Sequence, residues 1–573
     1  MSNELVVGCM RFIPLDPNAA RIFGFSEYLT SLALMAIVWT IADVRYRFRV
    51  MTNHFVSPKS TFYVIVAVGF STLLTDLWRA EGWLVPEGGI LTFASWQAIL
   101  GTVFLFTFVS WAWFAFVKPP VYSKNNAKRY AQTLYRFILK GSSEELSVIA
   151  DELSNSVKSL VEHATDKRDR DQFRNHQQTD AESVEKVPEV TAYANDVLLL
   201  IADKRLCRAI VDSSPGTALA VFRAVSDTKK YGVPIETFAH NIVNEALANK
   251  NSFLYHETEG YESGLIGYHK PLSQAMFANY KMVEVIGRLL DPGDMWNWDS
   301  DKWKAYCRVF LLTFEDYVNS EFWNHSFVLY RAKGYIEHAV IDLHKINGNS
   351  ASAWENDVVK RLRVVVDFIK DAVEILDKKG APDHIRLRIR EKHRNEETFY
   401  DHLAELIKEI IFHASSVTAP ADLCWTIQRN SVWGELFNFG NLDGPAGKIV
   451  KFKVRRLVYD EIAEMTRFPN FKGAKILGYC LNVMGLALSG KDHDRDSHAL
   501  HKAVLSWVKN NYAWLHEYNA RVAEACLVDE ITFDAKSLRL VKTYPAENLR
   551  RKAEYVYLQV DSPKSADSQS GAE

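Results

Sequence analysis

The amino-acid sequence predicts an all-α protein, with a three-span helical membrane domain followed by a large helical cytoplasmic region. Three observations carry this reading. Apolar residues crowd into the first 117 positions, in runs long enough or nearly so to cross a bilayer. Lysine and arginine are shared unequally between the two ends of those runs. Beyond them, apolar residues recur at helical spacing and strand signals are few.

The first span, 23–44, is FGFSEYLTSLALMAIVWTIADV, with Glu27 and Asp43 near its ends. The second, 61–78, carries Asp76 near its end. The third, 90–117, has no charged residue and Gln97 as its most polar side chain; at this length it tilts or continues into the interface. Six of the fifteen tryptophans lie between residues 39 and 113, where aromatic rings anchor helices at a membrane boundary.

Orientation follows from charge. Arg45, Arg47, Arg49 and Lys59 lie between spans one and two, and Lys118, Lys124, Lys128, Arg129 and Arg136 follow span three. The opposite side has Arg11, Arg21 and Arg79, a ratio of nine to three. The positive-inside rule then places the N-terminus outside and the bulk of the chain in the cytoplasm of a bacterial-type inner membrane. In RYRFR, Arg45, Arg47 and Arg49 are expected to meet anionic headgroups, with Tyr46 and Phe48 at the interface.

The 573 residues suit two to four domains, and the net charge of −2 carries no signature of a nucleic-acid binder. Six scattered cysteines, without a C-x-x-C pair, fit free thiols in a reducing compartment. Residues 121–164 read as juxtamembrane helices: 126–140 ends at Gly141, and Ser142 with Glu145 forms a capping box. Leu146, Ile149, Ala150, Leu153, Val157, Leu160 and Val161 then form one apolar stripe, which packs on a helix of its own chain or on a second copy as a coiled coil. Residues 165–190, with seven acids and five bases, read as a polar linker; 191–560 as helical domain or domains; and 561–573 as a disordered tail. Within this region a capping box at Ser352 and Glu355 opens a helix that runs to Gly380, and 472–490 reads as a buried helix. The one alternating stretch, 385–390, is short.

No linear catalytic motif is present. GPAGK (444–448) has Leu442 and Ile449 where a phosphate-binding loop requires glycine and a hydroxyl. KDHDRDSHALH (491–501) resembles the start of a calcium loop, but Ser497 and Ala503 replace the required glycine and glutamate. His493, Asp494, His498 and His501 are the candidate transition-metal ligands, against the simpler reading of an acidic loop capping a helix. The basic blocks 386–394 and 448–456 are candidate phosphate or headgroup contacts, or solvated faces balanced by nearby acids. Aromatic-rich 268–280 and 296–310 read as core rather than as a ligand pocket.

The expected function is that of a non-enzymatic receptor or effector. In it a cytoplasmic helical domain senses a ligand or protein, and the membrane part oligomerises and changes state. Three helices enclose no pore, so conduction requires a homo-oligomer. Asp43 at one mouth and Glu27 and Asp76 at the other would then form acidic collars, with Arg47 and Arg79 as their expected partners. A membrane-anchored enzyme and a membrane scaffold are the alternatives. The sequence names no cofactor. The partners it implies are the lipid bilayer, further copies of the chain and a cytoplasmic ligand or protein, rather than nucleic acid.

Overall fold

Helix accounts for 72% of the structure and strand for 4%, so the architecture is all-α in the main. The computed structural model describes residues 5–7, 10–15, 21–41, 43–54, 58–86, 92–166, 187–263, 270–322, 325–348, 353–380, 382, 385, 387, 396–438, 442–488, 497–544 and 552–562. Most of the polar linker, the alternating stretch 385–390 and nearly all of the tail lie outside the described residues. The chain divides into two compact units, Met1–Glu245 and Ala246–Glu573.

In the first unit, strand β2 (Met10–Pro14) pairs antiparallel with β1 (Leu5–Val7) on one side and with β3 (Leu84–Pro86) on the other. The helices of this part are α1 (Phe25–Ile41), α2 (Val44–Thr52), α3 (Pro58–Ala80) and α4 (Phe93–Ala112), the last prolonged by a π-helical turn Trp113–Val117. Two stretches, Lys59–Ala80 and Phe93–Val117, are long and apolar enough to cross a membrane, while Phe25–Val38 is a shorter apolar helix. Seventeen residues of helix reach only ~25 Å, less than a ~30 Å hydrocarbon core. The expected span 23–44 stops early because Asp43 takes the Val44 N–H on its own carboxylate (2.6 Å) and starts a new helix.

The apolar helices are buried on one side only. Tyr28, Met35, Ile65, Val68, Leu100 and Phe104 form their shared core. Gly69 makes the closest approach possible: a β-carbon there would lie 2.6 Å from the Tyr28 ring, whose hydroxyl donates to the Ile65 carbonyl (3.1 Å). On the other side Leu34, Phe62, Phe70, Leu105 and Phe106 are 59–72% exposed.

Helices α5 (Ala127–Lys140), α6 (Ser143–Leu153) and α7 (Val157–His163) follow. The Ser142–Glu145 capping box forms as read from the sequence. Gly141 ends α5 in an extended rather than left-handed conformation; glycine is needed because a β-carbon would meet the Phe137 carbonyl oxygen at 2.5 Å. The stripe from Leu146 to Val161 is broken between α6 and α7, where the Ser154 hydroxyl donates to the Asp151 carbonyl (2.6 Å) and competes with the helix. It is buried inside the unit: α6 packs on helix Lys204–Ser213, and α7 on Pro215–Thr228 and Glu189–Leu200. The coiled-coil reading is therefore corrected, since the stripe has its partner in the same chain. Helices before and after the linker share one core.

In the second unit, helix Ser300–Asn319 buries Trp303, Tyr306, Phe310 and Phe314, and packs on helix Asp357–Lys379. The aromatic stretch 296–310 is thus largely core, as read, although Trp296 is exposed. Asn356, rather than Ser352, caps the long helix, which ends at Gly380 (φ 85°) as expected. Helix Phe471–Met484 is buried all round, with Ile476, Leu477, Tyr479 and Leu481 fully enclosed. A feature absent from the sequence reading is an antiparallel meander of β4 (Ile531–Asp534), β5 (Arg539–Tyr544) and β6 (Glu554–Gln559).

Ile149→Ala should cost about 2–5 kcal/mol, the range for emptying a packed aliphatic site. Thermal unfolding of the detergent-solubilised chain, with its mass measured in parallel by light scattering, checks this. A change in mass without loss of stability would restore the coiled coil.

Candidate functional site

The sequence VRYRFRVMT forms a helix because Asp43 caps it and Phe48, Val50 and Thr52 bury one face. Phe48 enters between the rings of Tyr130 and Phe137, edge-on at 5.6 and 5.9 Å, which docks α2 on α5. Arg45 and Arg49, four residues apart, then share the face toward α6. Arg49 is bidentate to Glu152: Nε donates to Oε2 at 2.8 Å and Nη2 to Oε1 at 2.7 Å. Its Nη1 donates to the Ala115 carbonyl (3.1 Å) at the end of the third apolar segment. Arg45 pairs with Asp151 (2.8 Å) and more loosely with Glu152 (3.4 Å).

This junction is closed. The Arg49 side chain is 12% exposed and that of Glu152 is 4% exposed. Hydrogen bonding to Glu152 holds the Arg49 guanidinium above its ordinary pKa, against the opposing effect of burial. The last carbonyls of a helix lack intrahelical donors and carry partial negative charge, so a guanidinium there is doubly favoured. Tyr46 stacks against Phe116 at 4.4 Å and lies under the Arg49 guanidinium at 5.8 Å. The headgroup reading of RYRFR therefore changes: Arg45 and Arg49 face carboxylates of α6, and Arg47 alone of the three is exposed. Asp151 and Glu152 were not singled out in the sequence; an acidic pair on a neighbouring amphipathic helix was the only signal available.

The expected Asp43–Arg47 pair is also corrected, because Asp43 serves as the cap of α2 instead. At the other end of the apolar helices, Arg21 joins the two carboxylates. It donates to Asp76 (2.9 Å) and lies 3.4 Å from Glu27. Asp76 also accepts the Phe25 N–H (2.8 Å), and Glu27 accepts the Gly24 N–H (2.9 Å). Gln97, fully buried, accepts the Ile22 N–H (3.0 Å). Arg79 lies over the Phe93 ring.

Of the four metal candidates, two fall within the described residues. His493 and Asp494 lie outside the described residues, His498 is exposed, and His501 donates Nε2–H to the Gly485 carbonyl (2.9 Å). Among the described residues no three potential ligands gather. Basic block 386–394, apart from Leu387, also lies outside them. In 448–456, Lys451 and Lys453 are buried and paired with Asp443 (3.0 Å) and Asp401 (2.5 Å), so neither offers its charge to a phosphate. At GPAGK the helix N-terminus holds a protein carboxylate, with Asp377 accepting the Ala446 N–H (2.7 Å).

Two clusters in the second unit, one around the buried His402 and one around the buried Lys542, escaped the sequence reading. His402 meets His325 (Nε2 to Nδ1, 3.3 Å) beside Lys333, which pairs with Glu337 and Glu405. Burial first, then Lys333 and His325, lower the His402 pKa to about 3. Lys542, on β5, reaches Asn482 Oδ1 (2.9 Å) and Asp529 (3.4 Å), and burial lowers its pKa despite Asp529. Beside it, burial pushes the Cys424 thiol up to about 12, so it stays protonated at neutral pH. Comparison with known protein families, known proteins and solved structures found no match to this chain.

Arg49→Ala and Glu152→Ala should each cost about 3–5 kcal/mol, because each leaves a buried charge unpaired. The doubly substituted chain should lose much less than their sum, measured by thermal unfolding in detergent as a double-mutant cycle. His402 supplies a pH dependence. Its pKa of about 3, against 6.5 in the unfolded chain, means that the unfolded state binds the extra proton between those values. Stability is complete above pH 6.5 and falls as pH drops toward 3, by up to ~1.4 kcal/mol per pH unit. His402→Gln should flatten that limb in unfolding curves recorded between pH 4 and pH 7 (about the working range of the group).

Proposed function

We propose that this chain is a multi-pass inner-membrane protein with three spans, an external N-terminus and a cytoplasmic bulk. In this reading it acts as a receptor or effector that couples cytoplasmic helices to the membrane helices. Exposed apolar faces on α1, α3 and α4 support insertion, since water offers such surface no partner. Packing of α1 against α3 and α4 supports its crossing with them despite its length. The nine-to-three bias of basic residues supports the orientation.

One observation carries the coupling: Arg49 bonds at once to Glu152 of α6 and to the Ala115 carbonyl at the end of the third apolar segment. Any displacement of α6 must either carry that segment with it or break the bidentate pair. Conduction is the weaker part of the effector reading, because Arg21 already engages Asp76 and Glu27, the carboxylates available for an outer collar.

Two measurements test the reading. Cys207, Cys307, Cys424, Cys480 and Cys526 are buried, which leaves Cys9 as the thiol for an impermeant maleimide. Labelling of Cys9 from the external face is expected; labelling only after the inner membrane is opened would reverse the orientation. Hydrogen exchange of the full chain in vesicles tests the coupling. Glu152→Gln should speed exchange in 44–52 and 93–117 about tenfold or more, while 357–379 stays unchanged. Unchanged protection in 93–117 would mean that the junction transmits nothing.

A further inference from the structure

The long helix Asp357–Lys379 presents more than its core face. On its open side a cavity of about 530 Å³ lies against the π-helical stretch Thr426–Gly434. Small-molecule sites span roughly 300–1,000 Å³, so the size suits one compact ligand. The floor is apolar, made by Val359 and Val366, both buried and two turns apart on the helix. The rim is polar and cationic. Lys360, Arg363 and Lys370 follow one another along the same helix, and Asn430 and Ser431 stand opposite.

The charges are unequally committed. Lys370 is held by Glu435 and by Asp367 (3.5 Å). Arg363 is 81% exposed and only loosely paired with Asp367 (3.9 Å), and Lys360 is exposed. Asp367 and Glu435 also line the cavity, so three cations meet two carboxylates there and the excess positive charge lies at the Lys360 and Arg363 end. At its edge stands Trp354, 57% exposed, a large ring held out of any core. An indole face stacks on planar bases and tolerates any of them, and guanidinium and ammonium groups bind phosphate.

The opposite wall has a local reason to exist. π-helices are rare and concentrate at functional sites, since the extra residue per turn re-aims side chains. Here Gln428 points inward, donating to the Val417 carbonyl (3.0 Å) and accepting from Asn482 (3.0 Å). Arg429 reaches the Val483 carbonyl (2.6 Å). Asn430 and Ser431, next in sequence, turn to the cavity. The widened turn anchors one face in the core while offering an amide and a hydroxyl on the other.

From the cavity, the tryptophan, the two cations and the π-helical wall we infer a binding site for a single nucleotide, its base on Trp354 and its phosphates between Lys360 and Arg363. This gives the receptor reading above a ligand class, yet it stands on residues of the second unit alone. The test is equilibrium dialysis of the full chain in detergent. The probes are the four ribonucleoside triphosphates and monophosphates, with adenosine and inorganic tripolyphosphate as the separate halves of the ligand. At least one nucleotide should bind more tightly than either half. Trp354→Ala should weaken it about tenfold or more. Lys360→Ala and Arg363→Ala should each weaken it severalfold and reduce its salt dependence. All three residues are exposed, so folding is spared, as circular dichroism would verify. Nucleotides that bind the triple variant as well as the wild type, or tripolyphosphate binding as tightly as any nucleotide, would overturn the proposal. Binding is read in detergent, so loss of the membrane reading would leave this result standing, and the reverse holds too.

Discussion

The first unit depends on a single buried ion pair. Arg49 and Glu152 lie in a closed environment where each alone would be expensive, and the bidentate geometry offsets much of the desolvation of both. Hydrophobic side chains of similar volume could hold α2 to α6 as firmly. What the pair adds is register. A guanidinium fork satisfied by two carboxylate oxygens and one carbonyl accepts one placement of α2 between α6 and the π-helical turn, whereas an apolar contact tolerates sliding. The same pair also explains why Arg45 is tied down: once Glu152 is fixed, Asp151 and Glu152 together meet the second arginine one turn earlier on α2.

The carboxylates of the apolar helices take backbone N–H groups at helix ends. Asp43 stops α1 and caps α2, and Glu27 and Asp76 take backbone N–H groups at the start of α1. A carboxylate near an apolar helix is costly unless neutralised, and Arg21 answers both at one point. The apolar helices therefore carry their charges only where the chain turns, and their long faces stay free of them. Charges gathered at helix ends in this way are what an apolar surrounding of those faces requires.

How much of this the sequence disclosed depends on the kind of signal. Periodicity and caps were legible: the α5 boundaries, the start of α6 at the Ser142 capping box and a buried helix within 472–490 follow from patterns within one helix, whereas the break after Leu153 does not. Pairings between helices were not, because Arg49 and Glu152 are far apart in the chain and nothing in RYRFR distinguishes a headgroup from a carboxylate partner. The β4–β6 meander was hidden for a specific reason. Lys542 occupies an inward position of β5 beside Leu540, so a buried lysine interrupts the apolar alternation that marks a strand. The two histidines of the buried cluster likewise stand on separate segments, with no local spacing to join them.

The distribution of reactive groups bears on the choice between receptor and enzyme. Nucleophilic and basic side chains in the second unit are enclosed and committed: the Cys424 thiol is held protonated, His402 is held neutral, and Lys542 is wrapped by Asn482, Asp529 and the rings of Trp425 and Tyr544. A catalytic group needs a substrate within hydrogen-bond reach, and groups this enclosed meet only protein. The cations at the Trp354 cavity are open to solvent and share its lining with the carboxylates of Asp367 and Glu435 and the Ser431 hydroxyl. Enclosed reactive groups thus lie beside an open cavity. The π-helical stretch links the two, since Gln428 joins the Asn482–Lys542 network on one face and Ser431 lines the cavity on the other. Occupation of the cavity would then bear on the Gln428–Asn482–Lys542 network through the π-helical turn that carries both faces.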